Sequence, residues 1–106
     1  MTAENSVMNK NLRSKRRSDD VIVSQILGIC ITGAGKTRIL YEANLNSSRV
    51  NHFLEKLVNN GFVTEVPRGA RISYKTTFKG EELKEKLDRL QNEMDELHSH
   101  LFKAEA

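Results

Sequence analysis

A mainly α fold with one small β-hairpin and a long trailing helix follows from three features of the 106-residue sequence. Apolar residues recur at helical spacing in three stretches between Val21 and Val58. The period then drops to that of a strand on either side of Pro67-Arg68-Gly69-Ala70. Past Thr77 a leucine repeat sets in and runs unbroken to Leu101.

Residues 1–17 come first and lack hydrophobic periodicity; they carry five basic side chains against one acidic and read as a disordered basic arm. Ser18 or Asp19 caps the first helix, where carboxylates favour the positive end. Val21, Ile22, Val23, Ile26, Leu27, Ile29, Cys30 and Ile31 give that helix a wide apolar face, and Gly33-Ala34-Gly35 ends it. Lys36 to Ala43 is a short second helix with Ile39 and Leu40 inward. After a tight turn at Asn44-Leu45-Asn46, Ser47 is the expected N-cap of a third helix reaching Asn59, with Val50, Phe53, Leu54, Leu57 and Val58 on its inner face. Phe62–Val66 and Arg71–Thr76 are the strands of the hairpin, joined by a turn over residues 67–70. Ile72 and Tyr74 point one way; Arg71, Ser73 and Lys75 form a basic outer face.

Thr76 or Thr77 caps the last helix. Leu83, Leu87, Leu90, Met94, Leu97 and Leu101 alternate at spacings of four and three, the a and d seam of a coiled coil. Residues 78–102 form a rod of roughly 37 Å at 1.5 Å per residue, and its narrow apolar stripe calls for a partner.

Helix, short helix, turn, helix, hairpin and long helix is the order of a winged helix-turn-helix followed by a C-terminal coiled-coil helix. The expected division is a basic arm (1–17), a winged domain (18–77), a dimerisation helix (78–102) and a tail (103–106). In this motif the third helix enters the DNA major groove and the wing follows the backbone. Ser47 and Ser48, with the free N–H groups beside them, suit phosphate. Arg49 and Asn51 have the geometry to read guanine and adenine edges; His52 and Lys56 share or flank that face. Arg68 and Arg71 on the wing, Lys36 at the second helix, and Arg13, Lys15, Arg16 and Arg17 of the arm are the expected phosphate contacts. The rear suits another job: residues 78–106 carry eight acidic side chains against five basic.

Residues 36–45 (KTRILYEANL), 53–62 (FLEKLVNNGF) and 74–80 (YKTTFKG) carry a resemblance as well. The chain, over roughly residues 20–102, resembles small archaeal winged-helix DNA-binding proteins of the Sulfolobus ten-a type. The resemblance implies a homodimer joined by an antiparallel coiled coil of the C-terminal helices. It also implies double-stranded DNA as partner and a nucleoid-associated place in the cytoplasm, as a chromatin protein or regulator. The basic arm is an addition to that family's core. A protein-interaction adaptor that assembles through its coiled coil is the alternative, since a fold does not fix a function.

Other classes find little support. Gly33-Ala34-Gly35-Lys36-Thr37 imitates a phosphate-binding loop, but Cys30 stands where that motif needs its first glycine, and a helix precedes it instead of a strand. Cys30 lies among isoleucines and reads as a core residue. His98 and His100 are two apart on a helix and cannot share a metal, so neither metal nor other cofactor is expected. The carboxylates crowd onto the last helix, so no enzyme is expected. The apolar run from Val21 to Ile31 is broken by Ser24, Gln25 and Gly28 and falls short of a bilayer span, so no membrane partner is expected. The polar start argues against a secretory leader, which leaves the Asn46-Ser47-Ser48 sequon without use, and a lone thiol fits a reducing cytosol.

Overall fold

The computed structural model describes residues 17–103, so Arg13, Lys15 and Arg16 of the arm lie outside the described residues. The elements are α1 (Asp19–Ile29), α2 (Lys36–Ala43), α3 (Ser47–Asn59), β1 (Val63–Arg68), β2 (Arg71–Thr76) and α4 (Phe78–Lys103). Three helices, an antiparallel hairpin and a long last helix make the expected winged helix-turn-helix.

Ser18 caps α1, its hydroxyl accepting from Val21 N at 3.3 Å, and Asp19 and Asp20 occupy the first turn. Ile22, Ile26 and Leu27 enter the core. The end of α1 departs from expectation. It stops at Ile29, and Ile31 is exposed. The cause lies in distant backbone pairing. Ala34 N bonds Tyr74 O at 2.9 Å and Tyr74 N bonds Ala34 O at 2.8 Å, so the glycine-flanked segment is not a helix cap but forms a single antiparallel rung with β2. Gly33 takes the positive φ of 93° that this exit requires.

α2 and α3 end in the same way. After α2, Asn44 adopts φ 56°, and Leu45 N bonds Leu40 O at 3.0 Å. After α3, Gly61 adopts φ 79°, and Phe62 N bonds Leu57 O at 2.9 Å. Each left-handed residue lets the chain turn while the last carbonyls find donors. Asn46, not Ser47, caps α3: its Oδ1 accepts from Arg49 N at 2.9 Å. Asn46 is still extended, at φ −87° and ψ 168°, whereas Ser47 already belongs to the helix.

The strands pair from Val63↔Thr76 to Arg68↔Arg71, which carries β1 two residues beyond its expected end. The turn shrinks to Gly69-Ala70, with Gly69 at φ 60°. A two-residue loop with a positive φ at its first centre suits the right-handed twist of a hairpin. Pro67 is tolerated in the strand because β1 lies at the sheet edge. Tyr74 is buried, as expected, but Ile72 on the same face stays 49% exposed because the wing reaches past the core.

Thr77 caps α4, its Oγ1 accepting from Gly80 N at 3.1 Å. Thr76 turns to α1 instead: its hydroxyl donates to Leu27 O at 2.6 Å and its N–H to Cys30 O at 2.9 Å. Beyond this junction α4 lies along α1. Leu83 packs against the core, and Lys84 Nζ approaches Asp88 to 2.8 Å and Ser24 Oγ to 3.2 Å. Hydrogen bonds from Lys84 and then Ser24 hold the Asp88 carboxyl below the usual carboxylate range. That contribution is present above the ordinary carboxylate pKa and is lost as pH falls through the lowered one. The packing of the winged domain thus continues past residue 77, to Asp88.

Gly80 provides a test of this junction. It is buried, and a Cβ there would come 2.1 Å from Phe62 O and 2.8 Å from Thr76 Cγ2. Inside an unconstrained helix alanine is better than glycine by about 1 kcal/mol. Here the backbone has to shift, so Gly80→Ala is expected to destabilise by about 1–3 kcal/mol in urea unfolding. Gly28→Ala meets only the flexible end of Lys84 and should stay within about 1 kcal/mol of the parent. Equal stability of the two variants would show that α4 does not press on Phe62.

Candidate nucleic-acid interface

Burying Val50, Phe53, Leu54 and Leu57 leaves α3 with a continuous outer face. Ser47, Ser48, Asn51, His52, Glu55, Lys56 and Asn59 are all exposed on it or beside it. Arg49 behaves differently. Its guanidinium lies 5.5 Å over the Phe53 ring, and Nη2 is 3.8 Å from Asp19 Oδ1, so the side chain is drawn back toward α1. An exposed ion pair of this kind is weak, about 0–1 kcal/mol, and can be exchanged for another anion.

Three hollows lie around α2, α3 and the wing. The first, between α3 and the hairpin, is lined by Lys36, Asn51, Glu55, Asn59, Glu65 and Tyr74. The second lies between the starts of α2 and α3 and includes Lys36, Thr37, Ser47 and Asn51. Gly35, the N-cap of α2, offers no side-chain acceptor, so the first-turn N–H groups of α2 stay open there. The third joins the Thr32–Gly35 segment to Arg38, Arg68 and Arg71. Arg68 and Arg71 are opposed across the strands, and neither has an ion pair among the described residues. Like charges directly opposite each other disfavour the hairpin on its own.

Some expected residues fall elsewhere. Arg17, expected in the arm, is fastened to the domain: it donates to Ala43 O, to Asn44 O at 3.0 Å and to Gln25 Oε1 at 2.6 Å. It thereby closes the C-terminal end of α2 at the helix-turn-helix turn. Other residues join the surface unannounced. Arg38 shares the third hollow with the wing arginines while bridging Glu42 at 2.7 Å, and Thr37, Asn59 and Glu65 line the others. The only trace of Arg38 in the sequence is its place beside the imitation phosphate loop; the Ala34–Tyr74 rung that brings it to the wing has no local signature.

The rear of α4 presents a second surface. Leu83 and Leu87 are half-buried, whereas Leu90, Met94, Leu97 and Leu101 are 57%, 52%, 58% and 64% exposed. The six seam residues therefore do not share one environment. Among the described residues no three His, Cys, Asp or Glu side chains converge, and no helix is long and apolar enough to cross a membrane.

A helix with a polar outer face, set beside a cation-bearing hairpin, is the arrangement of a winged helix-turn-helix. Residues 16–95 match the winged helix-turn-helix family, and the chain belongs to it. No curated protein matches it in sequence. It is similar in structure to Sso10a-2, a DNA-binding protein from Sulfolobus solfataricus, at 27% identity and a TM-score of 0.79, over 84% of this chain and 94% of that one. This agrees with the resemblance read from the sequence. It shares its fold with the PcaV transcriptional regulator of Streptomyces coelicolor, at 14% identity and a TM-score of 0.70, over 93% and 79% of the two chains. MepR, a transcription regulator of the Staphylococcus aureus multidrug efflux pump MepA, follows at 15% identity and a TM-score of 0.65, over 87% and 70%.

Cys30 sits behind this surface, fully buried at the end of α1. Burial pushes its thiol up to about 11, against a smaller lowering by Arg38. At pH 8 a disulfide reagent should leave native Cys30 untouched and modify it only after unfolding. The thiol stabilises the fold fully below its ordinary 9.0, and that contribution is lost as pH rises through about 11. Rapid modification of the native protein would show that the end of α1 is open.

Proposed function

We propose that the chain is a homodimeric double-stranded DNA-binding protein, a transcriptional regulator or chromatin-associated protein, with α3 in the major groove and residues 62–76 as the wing. The observation that carries this reading is the continuity of one surface. Asn51 of α3 and Lys36 at the open start of α2 line two hollows together, and the third, with Arg68 and Arg71 of the wing, begins at the neighbouring Gly35. Ser47, Ser48 and Lys36 bind phosphate at two helix starts. Asn51 and His52 face base edges, Lys56 flanks them, and Arg49 leaves Asp19 for the DNA. Arg68, Arg71 and Arg38 hold the backbone beside the wing. Arg13, Lys15 and Arg16 add sequence-independent attraction. Glu55 and Glu65 repel phosphate, but an acid there accepts from the amino group of cytosine, which favours a regulator over a purely architectural protein. Residues 90–101 of α4 join two such domains.

DNA titrations across a salt series test the wing. Arg68→Ala with Arg71→Ala should make the log–log salt dependence shallower by about 0.9 for each phosphate no longer neutralised. Asn51→Ala should cost about 1–3 kcal/mol on a preferred duplex and less on a random one. A binding constant that ignores salt would favour the adaptor reading instead.

Removing the rear of α4 tests the two-headed arrangement. A chain ending at Arg89 keeps Leu83, Leu87 and Asp88 on the domain, whereas a cut before Leu83 would strip the core. The shortened chain should be a folded monomer in sedimentation, and the full chain a dimer. Two linked heads raise avidity by roughly 10²–10⁴, so the monomer should lose affinity for long duplexes far more than for a short one. A full chain that sediments as a monomer would remove the dimer from this reading.

A further inference from the structure

We propose that two copies pair through Leu90, Met94, Leu97 and Leu101 alone, with Leu90 against the partner's Leu101 and Met94 against the partner's Leu97. The inference rests on the homodimer proposed above, taken in the antiparallel sense that the family resemblance implies, and fixes its register. The repeat itself leaves a choice. With Leu83, Leu90 and Leu97 at d and Leu87, Met94 and Leu101 at a, an antiparallel pair sets each d against an a of the partner. All six residues close a seam centred on Asn92, with Leu83 against the partner's Leu101. The rear four close a second seam, centred between Asp95 and Glu96.

Burial selects between them. Leu83 already packs against its own core, and Leu87 lies half-buried beside α1, in a groove with Val21 and Ser24. The four remaining residues are each more than half exposed. The four-residue seam uses the apolar surface that the domain leaves uncovered, and no more.

Charge selects the same way. In an antiparallel pair the g positions face one another, and so do the e positions. Here g is Lys86, Glu93 and His100, and e is Lys84, Gln91 and His98. The six-residue seam sets Glu93 against the partner's Glu93 and Lys86 against the partner's His100. The four-residue seam sets Glu93 against the partner's His100, a hydrogen-bond donor, and Gln91 against the partner's His98. Both pairings occur twice by symmetry.

Phe102 adds a third argument. It lies outside the seam, at a b position, yet is 59% exposed. Lys84 and Asp88 on the e and b side of α4 bond Ser24 of α1, so α1 lies on that side. The partner's e and b side faces it too. In the four-residue register the partner's Phe102 arrives level with Leu87–Gln91, beside the groove that Val21, Leu87 and Gln91 line. In the six-residue register it arrives level with Glu82, above the start of Lys84's contacts. The choice has a consequence for DNA. At 1.5 Å per residue the two Leu87 levels lie about 25 Å apart along the rod in the four-residue seam and about 15 Å apart in the other. The register sets how far apart the two DNA-binding heads stand.

Thiol pairing in the full-length protein reads the register directly. Met94→Cys mixed with Leu97→Cys should give a disulfide-linked heterodimer on mild oxidation, since native Cys30 is buried and inert. Sedimentation of charge variants gives an independent reading. His100→Lys should tighten the dimer and His100→Glu should loosen it, each roughly threefold, from two exposed pairs. A heterodimer from Leu90→Cys mixed with Met94→Cys, or the opposite order of the two His100 variants, would overturn this register while leaving the dimer intact. Met94→Cys crosslinking to itself would mean parallel chains and overturn both the register and the antiparallel reading. A protein monomeric at all concentrations would overturn the dimer itself.

Discussion

Thr76 ties the C-terminal end of α1 to the hairpin, and the rest of the winged domain is arranged around that tie. Leu27 O and Cys30 O lose their helical partners where α1 stops. Thr76 donates to each, from its hydroxyl and from its backbone, and Gly33 N is a second donor to Cys30 O at 3.0 Å. A buried carbonyl left without a donor costs about 1–3 kcal/mol. Two residues earlier, Tyr74 exchanges backbone bonds with Ala34. One residue later, Thr77 donates to Gly61 O at the end of α3 and caps α4. The end of β2 and Thr77 after it therefore bond to the end of α1, to the segment leading into α2, to the end of α3 and to the start of α4. The wing projects from this point, and so does the long helix.

That arrangement explains why the candidate interface stands on rigid elements. α3 is fixed at its start by Asn46, at its end by the Gly61 turn, and along its length by core packing. The α2–α3 turn is held from outside by Arg17. Arg68 faces Arg71 across the hairpin at the rim, and neither has an ion pair among the described residues. Such a patch works against folding by a small amount and in favour of a polyanion by a larger one, because each phosphate contact releases counterions. Glu55 and Glu65 interrupt the positive surface between wing and α3. In the proposed reading they are acceptors for the amino groups of bases.

Local patterns made most of the fold legible. Helical apolar spacing located α2 to the residue and α3 to within one residue at its start, and Gly61, Gly69 and the leucine repeat marked the ends that mattered. What escaped was the structure made by distant partners. Gly33-Ala34-Gly35 has the composition of a helix cap, and nothing nearby shows that Ala34 will pair with Tyr74. Thr76 and Thr77 are equal candidates as caps until α1 arrives to claim the first of them. In the site, the exposed residues of α3 could be named from periodicity, but orientation could not. Arg49 is drawn to Asp19, far back along the chain, and Arg38 reaches the wing only through the Ala34 rung. The seam was visible in full; that its first two members lie on their own domain was not, because a leucine repeat does not say which leucines meet.

That division of α4 links folding to assembly. The helix is one continuous rod from Phe78 to Lys103, yet it changes neighbour near Asp88. Before that point Gly80 presses on Phe62, Leu83 joins the core, and Lys84 and Asp88 grip Ser24. After it, every residue is exposed as far as Phe102. Since a helix resists bending between those halves, whatever the rear half binds is held at a fixed angle to α1 and, through Thr76, to the wing and α3. A partner on the rear half therefore need not touch the candidate interface to set its orientation. The first half of the helix, by being part of the core, transmits that orientation with no hinge between.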